Sequence, residues 1–214
     1  SLNLARLYRE GRGVKRNDVL AYHLFWQAKE ANLDRTAEVE LANLLSEGGE
    51  GVEADAELAR QLYEQAAAQD KGQALQALAE AHAPGGWLEE DAAQSMAYAQ
   101  RYAKQLEANA DQGDVGAMLQ LASLYSPNGL LSDQPDRHIQ WLHQAAQVGD
   151  LDAQARAGNE LVNVGEYRLG ISLLEDAARQ GQVESMIYLG QALLTPEHDG
   201  QPEDPSRAER WLNE

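Results

Sequence analysis

Apolar residues along this chain recur at intervals of three and four rather than two, the spacing that gathers them on one face of a helix. Aligning the chain on itself shows that these faces come in a repeating order. Short polar turns, each followed four residues later by Ala or Ser, read LDRTA, DKGQA, GDVGA, GDLDA and GQVES; they begin at Leu33, Asp70, Gly113, Gly149 and Gly181, with spacings of 37, 43, 36 and 32. Nine residues after each turn start lies a small residue preceded by an apolar one: Leu41-Ala42, Leu78-Ala79, Leu121-Ala122, Ala157-Gly158 and Leu189-Gly190, with Leu4-Ala5 as a sixth. Tyr8, Leu45, His82, Tyr125, Leu161 and Leu193 follow three positions later, one helical turn on. Each unit is therefore predicted to open with a helix whose small residue lets a neighbour approach closely.

A second helix in most units is predicted around Phe25-Trp26, Leu62-Tyr63, Trp141-Leu142, Leu173-Leu174 and Trp211-Leu212, several followed by alanine pairs as in YEQAAAQ, LHQAAQ and LEDAAR. One helix pair cannot bury its apolar face alone, whereas stacked pairs share a continuous core, so the expected fold is an all-α solenoid. The units run approximately 1–33, 34–70, 71–113, 114–149, 150–181 and a truncated 182–214, within one repeat domain. In the third unit the second helix is expected from roughly Glu90 to Asp111, more than 20 residues. Tyr98 and Tyr102 lie one turn apart on it and are expected to pack against adjacent units; a projecting, partner-specific helix is the alternative. Trp87, in the loop before it, is the aromatic expected at the surface.

Between the two helices of successive units stand EGRGVKRND, EGGEGVEAD, PGGWLEED and SPNGLLSDQPD, shortened in the fifth to NVGEY. A phosphate cradle needs glycine amides aimed at the anion, commonly with a cation beside them, and the first copy has both. The second copy carries Glu50, Glu53 and Asp55 instead of cations, so what the copies share is geometry. Gly11 and Gly13, or Gly48, Gly49 and Gly51, are expected to supply left-handed conformations that end one helix, and Asp18 or Asp55 to cap the next.

At this length the pattern becomes specific: LARLYREGRGVKRNDVLAYHLFWQAKEA and LANLLSEGGEGVEADAELARQLYEQAAAQ resemble Sel-one-like repeats, relatives of the tetratricopeptide repeat. The first, second and fourth units match well, and the sixth is cut off within its second helix. The third is lengthened to 43 residues, and the fifth, at 32, is closer to an ordinary tetratricopeptide unit. The resemblance implies a right-handed superhelix that acts as a non-catalytic scaffold, its first helices lining a concave surface. Carried over position by position, it implies a groove of Arg6, Asn43, Glu80, Ser123, Asn159 and Gln191, with Arg9 one turn beyond Arg6 and Gln76, Leu119 and Ile187 as floor positions. These residues suit hydrogen bonding to an extended peptide, with a basic end at Arg6 and Arg9; ordinary solvated helix faces account for the same polarity. Because family members include secreted proteins and lipoproteins of bacterial exopolysaccharide export, a periplasmic or outer-membrane-associated scaffold is expected, a cytosolic or host-directed interaction protein being the alternative. Some secreted relatives staple each unit with a cysteine pair, and this chain has no cysteine.

Charge and composition remove other classes. With 17 Lys and Arg against 35 Asp and Glu, the net charge of −18 repels nucleic acid and anionic membranes, and a protein or peptide partner, if selected by charge, is basic. Arg12, Lys15 and Arg16 form a basic edge on this acidic chain, a secondary surface for an acidic neighbour. No apolar stretch approaches the roughly 18 residues of a membrane span. The opening SLNLARLYREG lacks a signal-peptide pattern and reads as the middle of a helix, so the chain is expected to be a fragment of a longer protein.

No enzyme chemistry stands out, and neither a catalytic residue nor a cofactor is assigned. Of the five histidines, only His138 and His143 are close, and five residues place them about 140° apart on a helix, wrong for shared metal ligation. His82 takes the large-residue position and is expected in the core or at the groove edge. The carboxylates Glu89-Glu90-Asp91 and Glu203-Asp204 lie at expected helix starts, where they offset the helix dipole. PEHDGQPEDP, residues 196 to 205, lacks the ladder of a calcium loop, so no metal site is assigned.

Overall fold

The structure, a computed structural model, describes residues 2–31, 36–194 and 205–212. The described residues form α-helices joined by short turns, with one isolated bridge between Gly49 and Val52, and the fold is an all-α helical-repeat solenoid. Two compact units divide the chain at Tyr102 and Ala103.

The first unit holds the hairpins α1 (Leu2–Glu10) with α2 (Asp18–Glu30) and α3 (Ala37–Glu47) with α4 (Ala56–Ala68), then α5 (Gly72–Ala81) and the start of α6 (Ala92–Ala110). Contacts of α2 with α3 and of α4 with α5 stack one hairpin on the next. The second unit holds the remainder of α6, then α7 (Val115–Tyr125) with α8 (Pro135–Gln147), α9 (Leu151–Asn163) with α10 (Tyr167–Arg179), and α11 (Val183–Leu194) with α12 (Pro205–Leu212). Here α8 packs on α9 and α10 on α11, and α9 also touches the first helices on either side of it, α7 and α11.

The small residues found by self-comparison are buried in the core. Ala5, Ala42 and Ala79 are completely buried, Ala122 is 2% exposed, and Gly158 and Gly190 are buried. Four residues before Phe25, Tyr63, Leu142, Leu174 and Leu212, each second helix carries a matching position: Ala21, Ala59, His138, Gly170 and Ala208, with Ser95 as the equivalent on α6. All six are buried. In the second unit one crossing is close enough that a Cβ added to Gly170 would stand 2.6 Å from the Gly158 carbonyl oxygen. Around these contacts Phe25, Leu62, Leu78, Leu121, Leu161, Leu174 and Leu189 lose essentially all solvent contact. Each such side chain contributes about 1.5–3 kcal/mol to stability.

The turn starts share a backbone device. Gly113, Gly149 and Gly181 have φ of 87°, 86° and 88°, and Asp70 occupies the same left-handed region at 53°. Asp is among the few residues with a side chain that visit this region. The turn at Leu33 lies outside the described residues.

The glycine-rich turns correct two expectations. Gly11, Gly13, Gly48 and Gly51 are left-handed, but Gly49 is not. It pairs with Val52, its amide donating to the Val52 carbonyl at 2.8 Å and the Val52 amide donating back at 3.1 Å. Nor does Asp18 cap α2: Asn17 does, accepting the Leu20 amide at 2.9 Å, while Asp55 caps α4 as expected, accepting the Leu58 amide at 2.9 Å. Asp18 is fully buried and takes a bidentate contact from Arg16, with N···O distances of 3.0 and 2.8 Å. It also accepts the Glu50 amide of the next repeat's turn at 2.9 Å. A Cβ on Gly49 would fall 2.7 Å from this carboxylate. The second glycine turn thus does cradle an anion, and the anion is the protein's own aspartate. The Arg16 hydrogen bond, followed by the Glu50 amide, holds the Asp18 carboxyl below the usual range against the cost of desolvation.

The third unit's long helix is 19 residues, Ala92–Ala110, a little shorter than expected. At its start the Asp91 carboxylate accepts the Ala93 and Gln94 amides at 3.0 Å each and so ends the loop one residue before the helix. Tyr102 is buried, and Tyr98 stacks on His82 with ring centroids 6.3 Å apart. Glu203-Asp204 and residues 196–204 lie outside the described residues.

Candidate functional site

The groove positions divide between the two units. In the first, Arg6 and Arg9 project from α1 toward α3, and α3 answers with carboxylates. The Arg6 Nε donates to Glu40 Oε1 at 2.6 Å, and Arg9 reaches Glu47 at 3.2 Å and Glu40 at 3.7 Å. The expected basic end is therefore compensated where it stands. Asn43 accepts a hydrogen bond from the hydroxyl of Tyr63, a phenol whose pKa is raised by burial, and the Gln76 amide donates to Glu80 at 2.9 Å. Arg6, Arg9 and Asn43 are thus occupied in tying helices together, and Gln76 and Glu80 in a contact along one turn of α5.

The basic edge is similarly engaged. Arg12 pairs with Glu10 and Arg16 with Asp18, while Lys15 is exposed. Trp87 is 37% exposed, its ring tilted 6.1 Å from that of Tyr63. A shallow depression of about 530 Å³ lies between α2 and the second glycine turn, bordered by Val19, Tyr22, His23, Leu45, Val52 and Leu58 among others.

In the second unit, Asn159 is half-buried on α9, and Ile187 and Gln191 are exposed on α11. Ser123 and the floor residue Leu119 lie in a pocket of about 210 Å³, whose lining is completed by Ala122, Ser126, His138, Leu142, Arg156 and Glu160. Three helices build it. α7 presents Leu119, Ala122 and Ser123, α8 contributes His138 and Leu142 from beneath, and α9 supplies Arg156 and Glu160, four residues apart and so on one face. Ser126, just after α7, donates its hydroxyl to the Ser123 carbonyl at 2.8 Å.

His138 is the unusual member. It is 3% exposed and stands where the other second helices carry Ala, Ser or Gly. Ser95 in the equivalent place donates its hydroxyl to the Ala79 carbonyl at 2.7 Å, and His138 Nδ1 makes the corresponding contact with the Ala122 carbonyl at 2.6 Å. A carbonyl only accepts, so Nδ1 carries the hydrogen, and in the neutral form of the ring Nε2 presents a lone pair. That nitrogen is buried without a hydrogen-bond partner. The nearest carboxylate oxygen, Glu160 Oε1, is 3.8 Å away and is itself an acceptor. His82 contrasts with it: buried as expected, it donates from Nδ1 to the Glu89 carbonyl at 3.1 Å.

His138, Arg156 and Glu160 are not among the groove positions: His138 stands on a second helix, and Arg156 and Glu160 stand on α9 beside Asn159, the one position carried over there. The signal of His138 is nevertheless in the chain, a large polar residue in a column of small ones. Among the described residues no group of three or more His, Cys, Asp or Glu side chains is placed to hold a metal ion, and no helix is long and apolar enough to cross a membrane.

Stacked antiparallel helix hairpins that close on paired small residues define a tetratricopeptide-like helical repeat protein. The Sel1 repeat pattern matches residues 2–33, 36–71, 115–150 and 183–214, more than half of the chain, and the chain belongs to the Sel1 repeat family. The segments it passes over contain the third and fifth units, the two that depart from the pattern. Among solved structures, a Sel1 repeat protein from Oxalobacter formigenes is similar over 99% of this chain and 84% of its own, with 25% identity and a TM-score of 0.63. The protective antigen c5321, present in uropathogenic Escherichia coli strains and displaying an SLR fold, is similar over 99% of this chain and 44% of its own, with 24% identity and a TM-score of 0.61. No curated protein matches the chain. Sel1 repeat proteins are in general non-catalytic scaffolds for protein–protein interaction.

Proposed function

We propose that this chain is a non-catalytic scaffold that takes an extended segment of a protein partner against the face formed by the first helices of its second unit, with α7 and α9 as the main contact. The observation that carries this reading is the pocket on that face: Ser123, Arg156 and Glu160 around a buried imidazole whose second nitrogen is unsatisfied. Extended peptides need both donors and acceptors along their path, and this wall offers both. The net charge of −18 favours a basic partner. The setting we propose is the bacterial envelope, in an assembly such as one for exopolysaccharide export, on the strength of the family resemblance; fractionation of the natural full-length protein tests the compartment.

Selection of linear peptides on the immobilised chain tests the binding reading. Ser123→Trp, which fills the pocket mouth, is expected to weaken the selected peptides at least tenfold, a loss of about 1.4 kcal/mol. Arg179→Ala, on the exposed side of α10, is expected to leave them unchanged. Equal binding to the Ser123→Trp variant and the unmodified chain would overturn the reading.

A further inference from the structure

We propose that the pocket over His138 binds the side-chain carboxamide of a Gln or Asn residue within the extended partner, an inference that rests on the peptide-binding reading above. In its neutral form the His138 ring offers an acceptor at Nε2, and Glu160 Oε1 offers a second acceptor 3.8 Å away. Two acceptors at this separation suit an NH2 group that lies beside the pair and donates one hydrogen to each. Among the other lining residues, Arg156 is a pure donor and Ser123 a donor or acceptor, which suits a carbonyl oxygen on the same small group. Leu119 and Leu142 line the pocket with apolar surface for the methylene stem. Glu160 is 41% exposed, so its carboxylate can swing toward solvent to admit the group.

Other side chains fit less well. A carboxylate would meet Glu160 and the Nε2 lone pair, and an ammonium group would share the pocket with the Arg156 cation. An apolar side chain would leave Nε2 buried and unsatisfied, which is costly. The position is also independent of the usual packing of the repeat, because alanine fills it in α2, α4 and α12.

The test follows the His138 ring nitrogens by NMR in the histidine-labelled chain, at a pH well above the ordinary imidazole value of about 6.5. The probe is glutamine with both termini blocked, N-acetyl-L-glutamine N-methylamide, and the comparison probes are the blocked glutamate, lysine and methionine. The expected result is a saturable movement of the Nε2 resonance with the glutamine probe alone, its affinity weakened about tenfold by Glu160→Ala through loss of a charge-assisted hydrogen bond. In parallel, peptides selected on the chain are expected to share a Gln or Asn, and that preference is expected to disappear on His138→Ala, a change to the residue found in three other second helices. The inference is overturned if Nε2 does not respond to the glutamine probe, or responds equally to the others. Tighter binding of free L-glutamine than of the blocked form would also overturn it, by assigning the pocket to a free amino acid. Peptides that bind on the face without a carboxamide preference would sink this inference while the scaffold reading stands, whereas peptides indifferent to Ser123→Trp would sink the scaffold reading itself.

Discussion

The α7–α8 and α9–α10 hairpins of the second unit solve the same packing problem in opposite ways. In α9–α10 the facing positions are Gly158 and Gly170, and the backbones approach until a single Cβ would collide with a carbonyl. In α7–α8 the facing positions are Ala122 and His138, and an imidazole fills the gap by donating to the very carbonyl it faces. The first arrangement maximises close contact and leaves no room for chemistry. The second props its helices with a polar ring that also lines the pocket. One position in a repeat can therefore serve tight packing or recognition, and the hydrogen bond from Nδ1 is what allows a buried histidine in a column of small residues.

The sharpest way to break the contrast is to give the tight hairpin a side chain. Gly170→Ala is expected to destabilise the chain by about 2 kcal/mol, since overpacking against the Gly158 carbonyl and the Val162 backbone outweighs the gain in helix propensity. A lower urea midpoint would show it.

Making the propped hairpin resemble its neighbours is the converse. His138→Ala is expected to cost about 1–2 kcal/mol, by loss of the Ala122 hydrogen bond and the packed ring, and to leave helix content unchanged by circular dichroism. Ser95→Ala, which removes the same kind of contact without opening a ring-sized gap, is expected to cost less, about 1 kcal/mol. Equal losses at the two sites would show that the ring contributes no packing.

A third crossing, between turns rather than helices, depends on charge. Asp18 is held below the ordinary carboxylate range, so it binds fewer protons folded than unfolded, and its contribution is present above the unfolded pKa of about 3.9 and lost as pH falls through the folded one. Asp18→Asn is expected to destabilise at neutral pH by roughly 1 kcal/mol, with the difference from the unmodified chain shrinking as acid protonates the aspartate. A gap independent of pH would mean that the carboxylate acts by shape alone. The smallest effect is expected at the surface: Arg6→Ala, which removes a partly exposed pair with Glu40, is expected to change stability by less than about 1 kcal/mol and less still in high salt.

Much of the fold was legible in the order of residues. The spacing of Ala5, Ala42, Ala79, Ala122, Gly158 and Gly190 located the first helices and their buried faces, because helical periodicity is local and a small residue marks close approach wherever it recurs. The turn starts were legible for the same reason: Asp70, aligned with Gly113, Gly149 and Gly181, shares their left-handed backbone. The polar face of the first helices was legible as a set of positions but not as a site. Arg6, Arg9 and Asn43 looked available in the chain, and their partners Glu40, Glu47 and Tyr63 became known only when helices were brought side by side. Charge compensation between residues more than 30 apart, such as Arg6 and Glu40, has no local signature.

By itself, then, the sequence determined the repeat, the helix pairs, the small-residue seams and the family, all of which depend on short-range spacing repeated along the chain. Tertiary structure alone decided that Asp18 secures the following turn instead of capping its own helix, that the basic end is neutralised, and that His138, Arg156 and Glu160 meet Ser123 around one pocket. These outcomes depend on distances between separate helices and on which buried polar atoms find partners, and both are settled only when the hairpins stack.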